Sequence, residues 1–131
     1  MSNDTMTNEI PMNQIPNEKY DLRERTAAFG ENIITFAKKI PESSATRPLI
    51  SQLVRAGTSV GANYCEADDA STRKDFFYKI GTCRREAKEM KHLLHMVIVA
   101  EPSLKDEAKV HAAEAQELNL ISSTIINRRK R

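Results

Sequence analysis

The sequence predicts an all-α protein, an up-down-up-down antiparallel four-helix bundle. Three observations predict it. Apolar residues recur at steps of three and four along four segments, which is one face of a helix each time. Aromatic residues make up only 5% of the chain, and strands are enriched in aromatic and β-branched residues. The apolar segments are separated by short connectors carrying proline, serine or aspartate. At 131 residues the chain is one domain, long enough to bury a core without disulfides or metal.

Residues 1–19 lack periodicity and hold four asparagines and two prolines, so they read as a disordered N-terminal arm. The bundle is expected over 20–127. Asp21 with Glu24 three residues on resembles a capping pair. Leu22, Thr26, Phe29, Ile33, Phe36 and Ile40 then mark a first helix over about 22–40, which Pro41 stops.

The second helix, about 47–68, opens at Thr46-Arg47-Pro48, with proline in the first turn where its missing N–H is not required. Leu49, Leu53, Ala56, Val60, Tyr64 and Ala67 form its core stripe, flanked by Ile50, Val54, Gly57 and Gly61. Each interior glycine costs about 1 kcal/mol relative to alanine. Gly57 and Gly61 therefore mark a surface where another helix, of this chain or of a second subunit, comes close. Arg55, Ser59, Asn63 and Glu66 form a polar stripe along one side of the same helix, suited to pairing with another helix or subunit and to fixing register.

A third helix, about 72–99, is expected to begin at a Ser71 cap. Phe76, Ile80, Cys83, Ala87, Met90, Leu94 and Val97 alternate steps of four and three, a heptad seam. Ser103 with Asp106 resembles another capping pair. The fourth helix, about 104–127, carries Leu104, Ala108, Ala115, Leu118, Ile121 and Ile125 on its apolar face. The chain ends in the basic tail 128–131.

Net charge is only +2, but it is unevenly distributed. Residues 73–95 carry seven basic and three acidic side chains, and the last four residues are all basic. On a helical wheel Lys74, Arg84, Arg85, Lys88, Lys91, His92 and His95 fall within about 120° of one another, while Asp75, Glu86 and Glu89 lie across the seam. Such a face can line cations along a phosphate backbone. The same pattern also serves as a solvated face whose long stems shield the core. Arg128, Arg129, Lys130 and Arg131 can bind phosphates or complement a helix C-terminus.

Chemistry finds little support. Di-metal bundles use paired Glu-x-x-His motifs pointing inward, whereas Glu89 and His92 form a single copy off the seam and His111 precedes Glu114 in the reverse order. Ser71 and Lys74 have a Ser-Lys spacing, but a cap explains Ser71. Cys83 lies on the seam, and Cys65 has no histidine within one turn. No phosphate-cradling loop is present, since Gly57 and Gly61 lie inside one helix. No catalytic residue, metal or cofactor is predicted. No apolar run approaches the about 20 residues of a membrane span, and with no secretory signal and two cysteines the expected setting is the cytoplasm.

The run Arg55-Ala-Gly-Thr-Ser-Val-Gly-Ala-Asn-Tyr-Cys-Glu-Ala67 resembles the signature of a bacterial four-helix-bundle family named after open reading frames in intervening sequences of large-subunit ribosomal RNA genes. Ser71, Asp75-Phe76, Lys79 and Arg85-Glu86-Ala87-Lys88-Glu89 continue the pattern in order, and Tyr20-Asp-Leu-x-x-Arg25 fits its start. The resemblance covers about residues 20–126. His92 stands where many relatives carry an aromatic residue, and Asp68-Asp69 where some branches carry glycine. The resemblance implies a ring-forming homo-oligomer, often a pentamer, with no catalytic residues. One branch resembles the accessory protein of diversity-generating retroelements, which implies RNA or DNA and a reverse transcriptase as partners. The expectation is a non-enzymatic oligomer that binds nucleic acid through Lys74, Arg84, Arg85, Lys88, Lys91 and the tail; the alternative is a protein–protein scaffold that binds none.

Overall fold

The computed structural model describes residues 11–128, with side chains from Leu22 to Arg128. Four α-helices make up almost all of it: α1 (Pro11–Ala37), α2 (Thr46–Asp68), α3 (Arg73–Ala100) and α4 (Lys105–Asn127). A short 3₁₀ turn, Pro102–Leu104, precedes α4, and there is no strand among the described residues. Each helix packs on the next, α2 against α3 most extensively, and α4 returns to α1 through a smaller contact.

Several ends differ from the sequence expectation. Helix α1 starts at Pro11, so it runs through residues 11–19, where the sequence pattern predicts an arm; residues 1–10 lie outside the described residues. Proline is favourable at a first helical position, where its missing N–H would be unpaired anyway. Asp21 is consequently inside α1 and not at its start. At the other end α1 stops at Ala37, short of Ile40. The amides of Lys39 and Ile40 bond to the carbonyls three residues back, at 2.9 and 3.1 Å, and tighten the last turn ahead of Pro41.

The caps differ as well. Helix α3 is capped by Thr72, whose Oγ1 accepts from the Asp75 amide at 3.1 Å, and not by Ser71. Ser103 lies inside the 3₁₀ turn and donates to Glu101, so it does not cap α4. The start of α2 is secured by a reciprocal pair that the sequence reading passed over. Ser43 N–H donates to Thr46 Oγ1 at 2.8 Å, and Thr46 N–H donates to Ser43 Oγ at 3.1 Å.

The core takes one stripe from each helix. Leu22, Phe29, Ile33, Phe36 and Ile40 meet Leu53, Ala56, Val60, Tyr64 and Ala67 of α2. From α3 come Ile80, Cys83, Ala87, Met90, Leu94 and Val97, all nearly inaccessible, with Phe76 half-buried at the end of the seam. In α4 the buried line is Ala108, Ala115, Leu118, Ser122 and Ile126, while Ile121 and Ile125 sit on its flank. The polar hydroxyl of Ser122 disguises that register in the sequence. Thr26 is buried too, but its hydroxyl donates to the Leu22 carbonyl at 2.7 Å and so is not stranded.

Two glycines set the distance between α1 and α2. A Cβ at Gly57 would lie 2.8 Å from Ile33 Cγ2, and a Cβ at Gly61 would lie 3.2 Å from the Thr26 carbonyl oxygen. Ile33 has no exposed surface to yield into. The close approach served by these glycines is therefore made within the chain. Gly81 of α3 is the opposite case, since a Cβ there meets nothing within 4 Å.

A half-buried imidazole closes the α1–α4 side. The His111 ring stacks at 57° on Phe36, with centroids 5.0 Å apart. Its Nε2 is enclosed without a hydrogen-bond partner, 4.0 Å from a Glu107 carboxylate oxygen that Lys39 already holds at 2.8 Å. Burial lowers the His111 pKa below its ordinary 6.5; Glu107 opposes this and Lys39 adds to it.

Two predictions follow from this packing. Gly57→Leu overfills the α1–α2 contact and lowers unfolding free energy by about 1–3 kcal/mol or more. Gly81→Ala, which removes only a helix penalty, raises it by up to about 1 kcal/mol. Denaturant titration of both variants checks the contrast. Separately, because the folded chain holds His111 neutral, the unfolded chain binds its proton more readily. Stability is then lost as pH falls below the ordinary histidine value. His111→Phe should reduce the drop in stability between about pH 7.5 and about pH 5.5. An unchanged drop would assign it to other groups.

Candidate nucleic-acid interface

The rotation of α3 decides what its charged residues do. With the seam turned inward, Lys74, Arg84, Arg85, Lys88, Lys91, His92 and His95 are all exposed. The helix is 28 residues long, so a ridge from Lys74 to His95 extends about 30 Å at 1.5 Å per residue.

Among the described residues, none of Lys74, Arg84, Arg85, Lys88 and Lys91 is ion-paired. Lys91 donates to the neutral amide of Gln116, and Arg85 Nη2 donates to Thr82 Oγ1 at 3.5 Å. Other basic side chains are neutralised locally. Arg23 pairs with Asp68, Arg25 with Glu114 through two hydrogen bonds of 2.6 and 2.8 Å, Lys39 with Glu107, and Lys79 with Glu66.

Two of the three α3 carboxylates on the opposite side of the seam, Glu86 and Glu89, are held away from the ridge. Arg55 of α2 donates to Glu89 at 2.9 Å and reaches Glu86 at 3.4 Å. Glu66, about three turns further along α2, holds Lys79 at 2.5 Å, and that hydrogen bond raises the Lys79 pKa above its ordinary 10.5. The polar stripe of α2 thus divides. Arg55 and Glu66 tie α2 to α3, whereas Asn63 donates to Ser59 within the helix, to both its carbonyl and its hydroxyl oxygen at 2.9 Å.

Helix α4 adds to one end of the ridge. Asn119 donates to the Arg84 carbonyl at 3.1 Å, and Gln116 meets Lys91. These contacts place Gln116 beside Lys91 and Asn119 beside Arg84, towards the start of α3, and Arg128, just past the end of α4, is exposed. Arg129, Lys130 and Arg131 lie outside the described residues.

Aromatic residues cluster at the same end. Phe76 and Phe77 meet edge to face at 5.2 Å, and the Arg73 guanidinium lies 5.0 Å from the Phe77 ring centroid. Tyr78 is 64% exposed, a large value for an aromatic residue. Sequence reasoning singled out the cations and passed over Tyr78 and Gly81. The available signal was an aromatic residue off the seam, one turn from Lys74 and two from Arg85.

Residues that could support catalysis are committed elsewhere. Burial pushes the Cys83 thiol up to about 12, and its Sγ contacts the Val60 carbonyl at 3.5 Å. Burial, with Asp68 adding to it, likewise raises the Tyr64 phenol to about 12. Glu89 is taken by Arg55 and His92 is exposed, so they do not form an inward metal pair. Among the described residues no group of three or more histidine, cysteine or acidic side chains could hold a metal ion, and no helix is long and apolar enough to cross a membrane.

Residues 18–127 match the family described as 23S rRNA-intervening sequence protein. The chain is also similar to a crystal structure, at 1.70 Å resolution, of a protein with unknown function from the S23 ribosomal protein family of Bacteroides thetaiotaomicron. The TM-score is 0.73 at 24% identity, over 83% of this chain and 97% of that one, a likeness of fold. No curated protein matches the chain.

Proposed function

The chain belongs to the 23S rRNA-intervening sequence protein family, and from that premise we propose that it is a non-enzymatic four-helix bundle that binds RNA or DNA through the outer face of α3. The observation that carries the reading is the row of exposed Lys74, Arg84, Arg85, Lys88 and Lys91 without a carboxylate partner among the described residues. Cations that are already paired gain little from a phosphate, whereas free ones displace its counterions and gain the entropy of their release. Arg55 contributes indirectly, by holding Glu86 and Glu89 across the seam from the ridge. Exposed Arg128 adds a cation just past the end of α4, and three more basic residues follow it in the sequence.

The proposed architecture is up-down-up-down and antiparallel. It is supported by contacts that run in opposite senses along neighbouring helices: Arg23 with Asp68 and Ile33 with Gly57, then Arg55 with Glu86 and Glu66 with Lys79. The proposed assembly is a ring-shaped homo-oligomer, with a pentamer as the leading size. Exposed Ile34, Val110 and Leu120 offer apolar surface for subunit contacts. A ring would present several ridges to one nucleic acid and raise avidity without new contacts. The same exposed apolar residues favour the second reading, a protein–protein scaffold that ignores nucleic acid.

The test is binding to generic single- and double-stranded RNA over a salt series. Affinity should fall steeply with salt, and the log–log slope should shrink by about 3–4 when Arg84, Arg85, Lys88 and Lys91 become glutamine. An absence of binding at low salt, or an unchanged slope in the variant, contradicts this reading and leaves the scaffold.

A further inference from the structure

We propose that Tyr78 is a stacking platform for an unpaired base, and that the ligand of the α3 ridge is single-stranded nucleic acid. This rests on the reading that the ridge meets phosphates.

Gly57 and Gly61 are glycines because α1 leaves no room for a side chain. Gly81 lies inside α3, about two turns from its start, lacks any such neighbour, and still carries the helix penalty of glycine. Its effect is a gap in the outer surface. One turn towards the N-terminus stands exposed Tyr78, and one turn towards the C-terminus stand Arg84 and Arg85. Helical side chains lean towards the N-terminus, so both arginines are directed over the bare turn. The Arg85 contact to Thr82 Oγ1 fits that lean, and the Thr82 hydroxyl in turn donates to the Tyr78 carbonyl at 3.3 Å.

The ring itself is suited to the role. Phe77 already carries the Arg73 guanidinium, whereas Lys79 Nζ lies 6.0 Å from the Tyr78 centroid and is engaged by Glu66. A base can therefore lie against Tyr78 over the Gly81 gap, with its phosphates reaching Arg84, Arg85 and Lys74. Every base has a π-face, so such a platform tolerates sequence. Duplexes keep their bases stacked on one another and offer none to an exposed ring. A second copy meeting this face through a two-fold contact would set the two cationic ridges against each other.

The experiment measures affinity of the full chain for fluorescein-labelled oligouridylate and for a duplex RNA of equal length, at one salt concentration, with oligomeric mass determined in parallel. Tyr78→Ala should weaken oligouridylate binding by about 5- to 150-fold, the range for loss of one stacked base, and leave the duplex unchanged. Tyr78→Phe should retain affinity, and Gly81→Leu, which fills the gap, should lose it while remaining helical by circular dichroism. If the wild type binds neither RNA, the phosphate reading fails and takes this inference with it. If it binds both and Tyr78→Ala alters neither or both equally, the inference is overturned and the phosphate reading stands. Loss of oligomeric mass in Tyr78→Ala at unchanged affinity assigns the ring to a protein contact and also overturns it.

Discussion

Six apolar side chains on α3 fix how that helix is rotated about its axis, and the surface chemistry follows from the rotation. Ile80, Cys83, Ala87, Met90, Leu94 and Val97 turn inward between α2 and α4. Burying them removes enough apolar surface that no other rotation competes, since turning the helix by a third of a turn would expose the seam and bury lysines. The cations have no alternative but the outer face. The acidic residues across the seam come within reach of α2, where Arg55 meets them. One hydrophobic pattern thereby separates the two signs of charge along a single helix.

The α1–α2 contact shows a different constraint. Here the fit depends on missing side chains, because Gly57 and Gly61 let α1 settle against the α2 backbone. The gain in contact offsets the helix penalty of glycine. Arg23 and Asp68 fasten the far end of the same pair of helices. Gly81 falls outside this logic, as nothing in the core requires it. A residue that weakens its helix without serving the packing directs attention to the surface it leaves open.

The legibility of the sequence follows the range of each interaction. Apolar periodicity is local and strong, so the α3 seam and the α2 stripe are readable residue by residue. Capping is local but ambiguous where candidates adjoin. Ser71 and Thr72 stand side by side, and only the extended backbone of Thr72 (φ −127°, ψ 154°) makes it the cap. Ser122 hides the α4 stripe because a small hydroxyl can be buried where an apolar residue is expected. Partners of charged residues are not local at all. That Arg55 takes Glu86 and Glu89, thirty-odd residues away, is set by the packing of α2 on α3. Tyr78 was missed for a related reason: an exposed ring differs from a core ring in surroundings, not in sequence.

The proposed binding of nucleic acid along the unpaired cations of α3 can be tested at single side chains. Lysine-reactivity footprinting by mass spectrometry, with and without single-stranded RNA, tests it most directly, because paired lysines serve as internal references. Protection concentrated at Lys74, Lys88 and Lys91, with Lys39 and Lys79 unchanged, is the result this account predicts. Protection spread evenly over all lysines, or centred on Lys39 and the α1–α4 side, would contradict it.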